Sequence, residues 1–130
     1  MRTIYASQIE QAVCDAMLQA HFRMDAAIGA AVTQAAKKEH TELARSILGQ
    51  ILDNYAIAAR EQIPICQDSG MTLIYAQVGQ QVQINGDFEE SIQAGVRRAH
   101  QEGYLRASVV KDPLFHRDNT GERLMKSGIR

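Results

Sequence analysis

The sequence has 130 residues and a mass of 14.4 kDa, which predicts one domain that buries about two-thirds of its unfolded surface. The formal net charge is -1, so the protein has no strongly basic surface to attract nucleic acid or an anionic membrane. Aromatic residues make up 5% of the sequence and tryptophan is absent, so stacking on nucleic-acid bases is not expected. Two cysteines, no signal-peptide pattern and no apolar run near the roughly 18 residues of a membrane span predict a cytoplasmic protein.

The first half of the chain has the pattern of three helices. Ser7–Glu10 has capping-box spacing, and apolar residues recur every fourth position behind it. Asp25 is placed to cap a second, alanine-rich helix that ends near Lys38. Thr41 is placed to cap a third, whose apolar residues again repeat at every fourth position.

The pattern changes at Pro64. A residue before proline avoids the helical conformation, so the third helix is predicted to end near Gln62. The run MTLIYAQV (residues 71–78) favours a strand, and QVQI (residues 81–84) can return as a second strand after a turn. This half therefore predicts a small antiparallel β-hairpin.

The last predicted helix follows the hairpin. Asn85–Gly86 is a turn signal, Asp87 is placed to cap the helix, and Gly103 fits its C-terminal end. The run LRASVVKDP then favours an extended segment. The predicted fold class is α+β, a mainly helical domain with a small antiparallel β-hairpin.

Cys66 is the first candidate functional residue, because it lies in a turn and two polar side chains follow it. A free cysteine is usually a small buried hydrophobe, and Cys14, beside Val13 within a helix, fits that role. A nucleophilic Cys66 would need a base, and a metal-binding one would need partner ligands. The four histidines lie far apart and form no short zinc motif, so such partners are expected from elsewhere.

Three further residues have two interpretations each. Gln67 and Asp68 either complete a turn, in which Asp68 bonds nearby backbone and Gln67 faces water, or include a catalytic carboxylate at Asp68. Arg106 lies between apolar residues, where an arginine is often a buried ion-pair partner. A guanidinium is also the side chain best shaped to hold a carboxylate with two hydrogen bonds. The spacing alone does not decide between these interpretations.

The run IPICQDSG (residues 63–70) resembles the Pro-x-Cys-Gln-Asp-Thr-Gly motif of class I, iron-sulfur-dependent fumarate hydratases and of the alpha subunits of the related L(+)-tartrate dehydratases. Ser69 replaces the commoner threonine and keeps the hydroxyl. Longer stretches follow in the family's order, among them VGQQVQINGDFEESIQAGVRRAHQEGYLRASVV and DPLFHRDNTG. The resemblance extends to Gly121.

This resemblance implies an iron-sulfur hydro-lyase that hydrates or dehydrates a small dicarboxylate such as fumarate or malate. Three cysteines of the family hold a [4Fe-4S] cluster whose fourth iron is an open Lewis acid, and Cys66 would be one of the three ligands. Gln67 and Asp68 match the family's substrate-contacting pair, with Asp68 a candidate for proton transfer. Arg106 matches an arginine that clamps a substrate carboxylate.

The chain also departs from the family pattern. A cluster needs three thiolates, whereas Cys14 has no counterpart ligand in the motif. The run ERLMKSGIR (residues 122–130) matches nothing in the pattern. We therefore expect residues 1–121 to be a truncated N-terminal hydro-lyase domain with an unmatched tail. Alone it should hold no stable cluster and be inactive, until the remaining catalytic region or a partner subunit completes it.

Other interpretations remain open from the sequence. The chain could be a fragment of a tartrate dehydratase alpha subunit, because fumarate and tartrate specificity cannot be separated over these residues. It could instead be a non-catalytic relic or interaction module, or a redox sensor with a single thiol at Cys66. The alanine-rich helices would also suit a homo-oligomer.

Overall fold

The computed structural model of the protein describes residues 1–66 and 71–115. Two short strands and four helices lie within these ranges. In chain order they are β1 (Arg2–Tyr5), α1 (Ala6–Phe22), α2 (Ala26–Lys38), α3 (Glu42–Glu61), β2 (Val82–Asn85) and α4 (Phe88–Glu102). The described chain is mainly helical with a small β component, which broadly fits the α+β class.

The sheet differs from the predicted one. β1 and β2 pair in parallel, with Arg2 opposite Val82 and Tyr5 opposite Asn85. Residues 71–78, which were expected to form the first strand of a hairpin, belong to no strand. The prediction of an antiparallel hairpin is therefore wrong. Parallel strands need a long connection, so the partner of β2 lies far away in the sequence, where a local strand pattern gives no indication of it.

Side-chain caps set two of the helix starts where the sequence predicts them. The Asp25 carboxylate accepts a hydrogen bond from the Ala27 N–H at 2.8 Å, at the start of α2. The Asp87 carboxylate accepts one from the Glu90 N–H at 2.9 Å, at the start of α4. Thr41 precedes α3 as expected, although its side chain makes no capping hydrogen bond.

The described chain divides into two compact units. The first contains residues 1–17 and the described residues after position 70, and the second contains residues 18–66. The first therefore holds the sheet, most of α1 and all of α4, and the second holds α2 and α3.

The core of the first unit lies where α1 and α4 approach each other. Cys14, Met17, Val96 and Ala99 are buried there. Gly95 permits the close approach, because a Cβ at this position would lie 2.6 Å from the Glu10 carbonyl oxygen. Only glycine fits this position without a shift of the α1 backbone.

The second unit has a smaller core. Its buried apolar side chains in the described range are Phe22, Ala58 and Ile65. α2 packs on α3 without contributing a buried residue. The helical hairpin thus leaves several large apolar side chains exposed: Ile28, Leu43, Ile47, Ile51, Ile57 and Ile63.

None of the helices in the described part of the chain combines the length and the apolar character needed to cross a bilayer.

Candidate functional site

Cys66 lies just beyond the end of α3, at the place that the sequence predicts for this turn. The helix ends where Gln62 adopts a left-handed conformation with φ 55°, and the Gln62 side-chain amide donates to the Ala59 carbonyl at 2.6 Å. The chain then leaves the helix axis before Pro64. This turn stops α3 and directs the following residues back along the helix.

Two backbone hydrogen bonds fix the segment that carries the thiol. The buried Ile65 donates its N–H to the His21 carbonyl at 2.9 Å. The Cys66 N–H donates to Asn54 Oδ1 at 3.0 Å, which ties it to the middle of α3. Cys66 itself is exposed. The backbone is anchored at Ile65 and at Cys66 while the Cys66 side chain is exposed, an arrangement that leaves the sulfur available to an external group.

Gln67 and Asp68, the next two predicted site residues, lie outside the described residues. Their positions relative to the Cys66 thiol therefore remain predictions.

Arg106 is in the first unit, directly after the end of α4. Tyr104 has a left-handed backbone with φ 50°, and the buried Leu105 donates its N–H to the His100 carbonyl at 3.1 Å. Arg106 follows as an exposed residue, and no described carboxylate lies within ion-pair distance of it. A buried ion pair with a described residue is therefore not its role, and its guanidinium is available for an anion.

Cys14, the second cysteine, lies in a different environment. It is fully buried, and its Sγ lies 3.7 Å from Oε2 of Glu102 across the contact of α1 with α4. Burial raises the pKa of this thiol, and the Glu102 carboxylate raises it further. The thiol is thus held protonated inside the core, as expected for a structural cysteine.

Sequence reasoning missed the ion-pair network beside Cys14. Arg98 donates from Nε to Glu102 at 2.6 Å, and its Nη1 lies 3.7 Å from a Glu10 oxygen. The hydrogen bond from Arg98 lowers the pKa of Glu102, and the same bond raises the pKa of Arg98. The i,i+4 spacing of Arg98 and Glu102 was the available signal.

The described residues do not make a complete metal site. Among them, no group of three His, Cys, Asp or Glu side chains could hold a metal ion. Of the two thiols in the sequence, Cys14 is buried against Glu102 and only Cys66 is exposed. One exposed thiol could supply a single ligand of an iron-sulfur cluster, whereas a whole cluster needs about three or four thiolates.

Comparison with known proteins identifies a family. The sequence model of the family "Fumarate hydratase (Fumerase)" matches residues 10–126. A protein of Methanocaldococcus jannaschii named as an L(+)-tartrate dehydratase subunit alpha is 34% identical over 82 residues, which cover 62% of this chain and 29% of that relative.

Two Escherichia coli K12 proteins are also similar. The anaerobic class I fumarate hydratase is 34% identical over 87 residues, and the aerobic one is 35% identical over 88 residues. Each match covers 66% of this chain but 16% of the relative. The chain thus spans less than a third of the length of the curated relatives it matches.

Proposed function

Because the chain belongs to the family of class I fumarate hydratases and L(+)-tartrate dehydratase alpha subunits, as an N-terminal part, we propose that it forms one portion of an iron-sulfur hydro-lyase. Its substrate would be a small dicarboxylate, fumarate and malate or tartrate. We assign residues 1–121 to the hydro-lyase region and residues 122–130 to a tail, although the family match continues to residue 126.

The exposed Cys66 thiol is the observation that carries this proposal. It lies in the run IPICQDSG, its backbone is anchored by Asn54, and it is the exposed cysteine of the two. We assign Cys66 as one thiolate ligand of a [4Fe-4S] cluster. The other ligands would come from polypeptide outside this chain, since Cys14 is buried against Glu102.

Arg106 is proposed to hold a substrate carboxylate. Its guanidinium is exposed and forms no ion pair with a described residue, so two parallel hydrogen bonds to a carboxylate would displace only water. Gln67 and Asp68 are proposed to contact the same substrate, with Asp68 taking part in proton transfer. Their support is their place directly after Cys66 in the family motif.

The isolated 130-residue chain is proposed to be inactive. Two cysteines, one of them buried, cannot supply three thiolates, and the relatives are several times longer than the matched stretch. The remaining catalytic region or a partner subunit would complete the site. We place the protein in the cytoplasm, because two unpaired cysteines suit a reducing compartment.

A second candidate function is a non-catalytic interaction module with the same fold. The observation that favours it is the small number of available ligands, since only one exposed thiol is present among two cysteines. Such a module would bind a related subunit without contributing to a cluster.

The test is anaerobic reconstitution with iron and sulfide, applied to two proteins. One is the chain alone, and the other is a chimera in which this chain replaces the matched stretch of the M. jannaschii relative. We expect no cluster absorption in the chain alone, cluster absorption in the chimera, and dehydration of malate or tartrate by the chimera once its partner subunit is added. Cys66→Ala should remove both from the chimera, whereas the control Cys14→Ala should keep them.

Each part of the proposal has its own contrary outcome. An active cluster in the chain alone would contradict the need for further polypeptide. A Cys66→Ala chimera with a full active cluster would contradict the ligand assignment. A folded chimera without any cluster would favour the interaction module.

A further inference from the structure

Residues 71–78, which we call the open segment, belong to no strand, although residues 71–75 within it have the side-chain pattern of one. Met71, Leu73 and Tyr75 are 59%, 71% and 93% exposed, whereas Thr72 and Ile74 between them are half-buried. Exposure that alternates at every second residue is the periodicity of a strand with one covered face. The uncovered face of residues 71–75 carries three large apolar side chains, and residues 76–78 are exposed on both faces.

The backbone of the open segment has no partner in the described part of the chain. No described residue donates a hydrogen bond to it or accepts one from it. Backbone N–H and C=O groups are nearly always paired once a segment is covered. A surface that covers Leu73 and Tyr75 must therefore also supply donors and acceptors at the spacing of an extended chain, and another strand provides them.

The composition of this region also leaves it open to pairing. No charged residue and no proline occur between Met71 and Gly86. Exposed edges that must stay unpaired usually carry lysine, glutamate or proline, which disfavour the addition of a strand. Within the described residues the β1–β2 sheet of the same unit has two strands, fewer than sheets that are stable alone.

We propose that the open segment pairs as a β-strand with a strand supplied by the part of the hydro-lyase that this chain does not contain. The assignment of the partner strand to this missing part rests on the proposed function. It is favoured over a second copy of the chain because the matched stretch makes up only 29% or 16% of the relatives. Most of the polypeptide that would surround this unit is thus outside the 130 residues.

Hydrogen–deuterium exchange on the chain alone and on the chimera tests the pairing. In the chain alone the amides of the open segment should exchange without protection. In the folded chimera, at least every second amide should exchange about 100-fold more slowly or better, because it becomes bonded to the new strand. The amides of α4, bonded within their helix in both proteins, are the internal reference.

Two proline variants distinguish strand pairing from side-chain contact. N–H groups of adjacent strand residues point to opposite edges, so Thr72→Pro and Leu73→Pro each remove a donor from a different edge. If one edge of the open segment is paired, its amides should exchange at least about tenfold faster in one of these variants than in the other. Leu73→Ala keeps the N–H and should retain most of the protection.

The outcomes separate this proposal from the proposed function. A chimera with an active cluster and an unprotected open segment overturns the strand pairing alone. A chimera with a protected open segment and no cluster supports the pairing and overturns the hydro-lyase assignment. Protection that appears in the chain alone, together with dimers in sedimentation, overturns the proposal in favour of a second copy.

If the chimera does not fold, the chain is mixed with the rest of the M. jannaschii relative as a separate polypeptide. Protection of the open segment in that mixture supports the proposal, and unprotected amides overturn it.

Discussion

The surroundings of the two cysteines differ in nearly every physical respect. Cys14 lies within α1, fully buried at the contact with α4, and its thiol faces the Glu102 carboxylate. Cys66 lies in an exposed turn, and only its backbone N–H is held, by Asn54. The fold thus keeps the sulfur of Cys14 from solvent, and it fixes the main chain of Cys66 while leaving the sulfur free.

This contrast indicates how one chain can place two residues of the same type in different environments. A buried thiol contributes packing and stays protonated, whereas an exposed thiol on a fixed backbone is available for chemistry. Burial and backbone anchoring distinguish the two roles. The four predictions below test this difference, and they start with the largest expected effect.

Alkylation should separate the two thiols most clearly. With iodoacetamide at pH 8, Cys66 should react at least about 1,000-fold faster than Cys14, because Cys14 reacts only when the α1–α4 contact opens. Peptide mapping by mass spectrometry measures both rates in one sample. Cys14→Ala should leave only the fast reaction and Cys66→Ala only the slow one. Comparable rates at the two sites would contradict the burial of Cys14.

Alanine substitutions of one glycine in α4 and one in α3 should change the free energy of unfolding in opposite directions. Gly95→Ala places a Cβ against the Glu10 carbonyl and Val13, and it should lower the free energy of unfolding by about 2 kcal/mol or more. Gly49→Ala is the matched control in α3, where a Cβ would meet no atom within 4 Å. It should raise stability by about 0.5–1 kcal/mol. Urea denaturation measures both, and equal effects would contradict the close α1–α4 contact.

The raised pKa of Cys14 predicts a loss of stability in alkali. Above the ordinary thiol pKa of about 8.5 the unfolded chain releases this proton, while the folded chain keeps it until its higher pKa is reached. The unfolded state is therefore favoured as pH rises through that window. The stability difference between the parent and Cys14→Ala, from urea denaturation under reducing conditions, should shrink there. A difference that is constant with pH would contradict the prediction.

The smallest expected effect concerns the anchor of Cys66. Asn54→Ala removes the acceptor of the Cys66 N–H, and exchange of that amide should become about five- to tenfold faster. The free energy of unfolding should fall by less than about 1 kcal/mol, because the bond is exposed. Asn54→Asp keeps an acceptor oxygen and should keep the slow exchange. Equal exchange in all three proteins would mean that Asn54 does not hold the turn.

Most of the helical structure could be predicted from the sequence, because its signals are local. The Asp25 and Asp87 caps, the end of α3 at Gln62 and the end of α4 at Gly103 all lie within a few residues of what they control. The start of α1 is less well predicted. The helix begins at Ala6, and Gln8 accepts a hydrogen bond from the Tyr5 N–H where a Ser7 capping box was expected.

The sheet could not be predicted, because its partners are remote. Three of the four residues of β1 favour a strand, but so short a run does not indicate its partner, and β1 pairs with β2 far away in the sequence. Gly86 supports this arrangement with φ 118°, and a Cβ there would lie 2.7 Å from the Ala6 Cβ. Both the positive φ and this close approach require glycine at that position, and only the structure shows the second reason.

The candidate site was predicted in part. The odd position of Cys66 in a turn indicated a thiol available for chemistry, and the structure confirms its exposure. Composition and spacing could not indicate that Asn54, twelve positions earlier on α3, holds its backbone. They also gave no sign that Arg98 reaches Glu10, because that contact joins two helices far apart in the sequence, whereas its pair with Glu102 has the i,i+4 spacing.

The pairing of β1 with β2 has a consequence for biosynthesis. Arg2–Tyr5 leaves the ribosome before its partner Val82–Asn85, and three helices are made between them. Pairing across such a separation forms late, because a long loop must close first. The nascent chain therefore carries β1 unpaired until β2 has been made, while the α2–α3 hairpin can form from neighbouring residues.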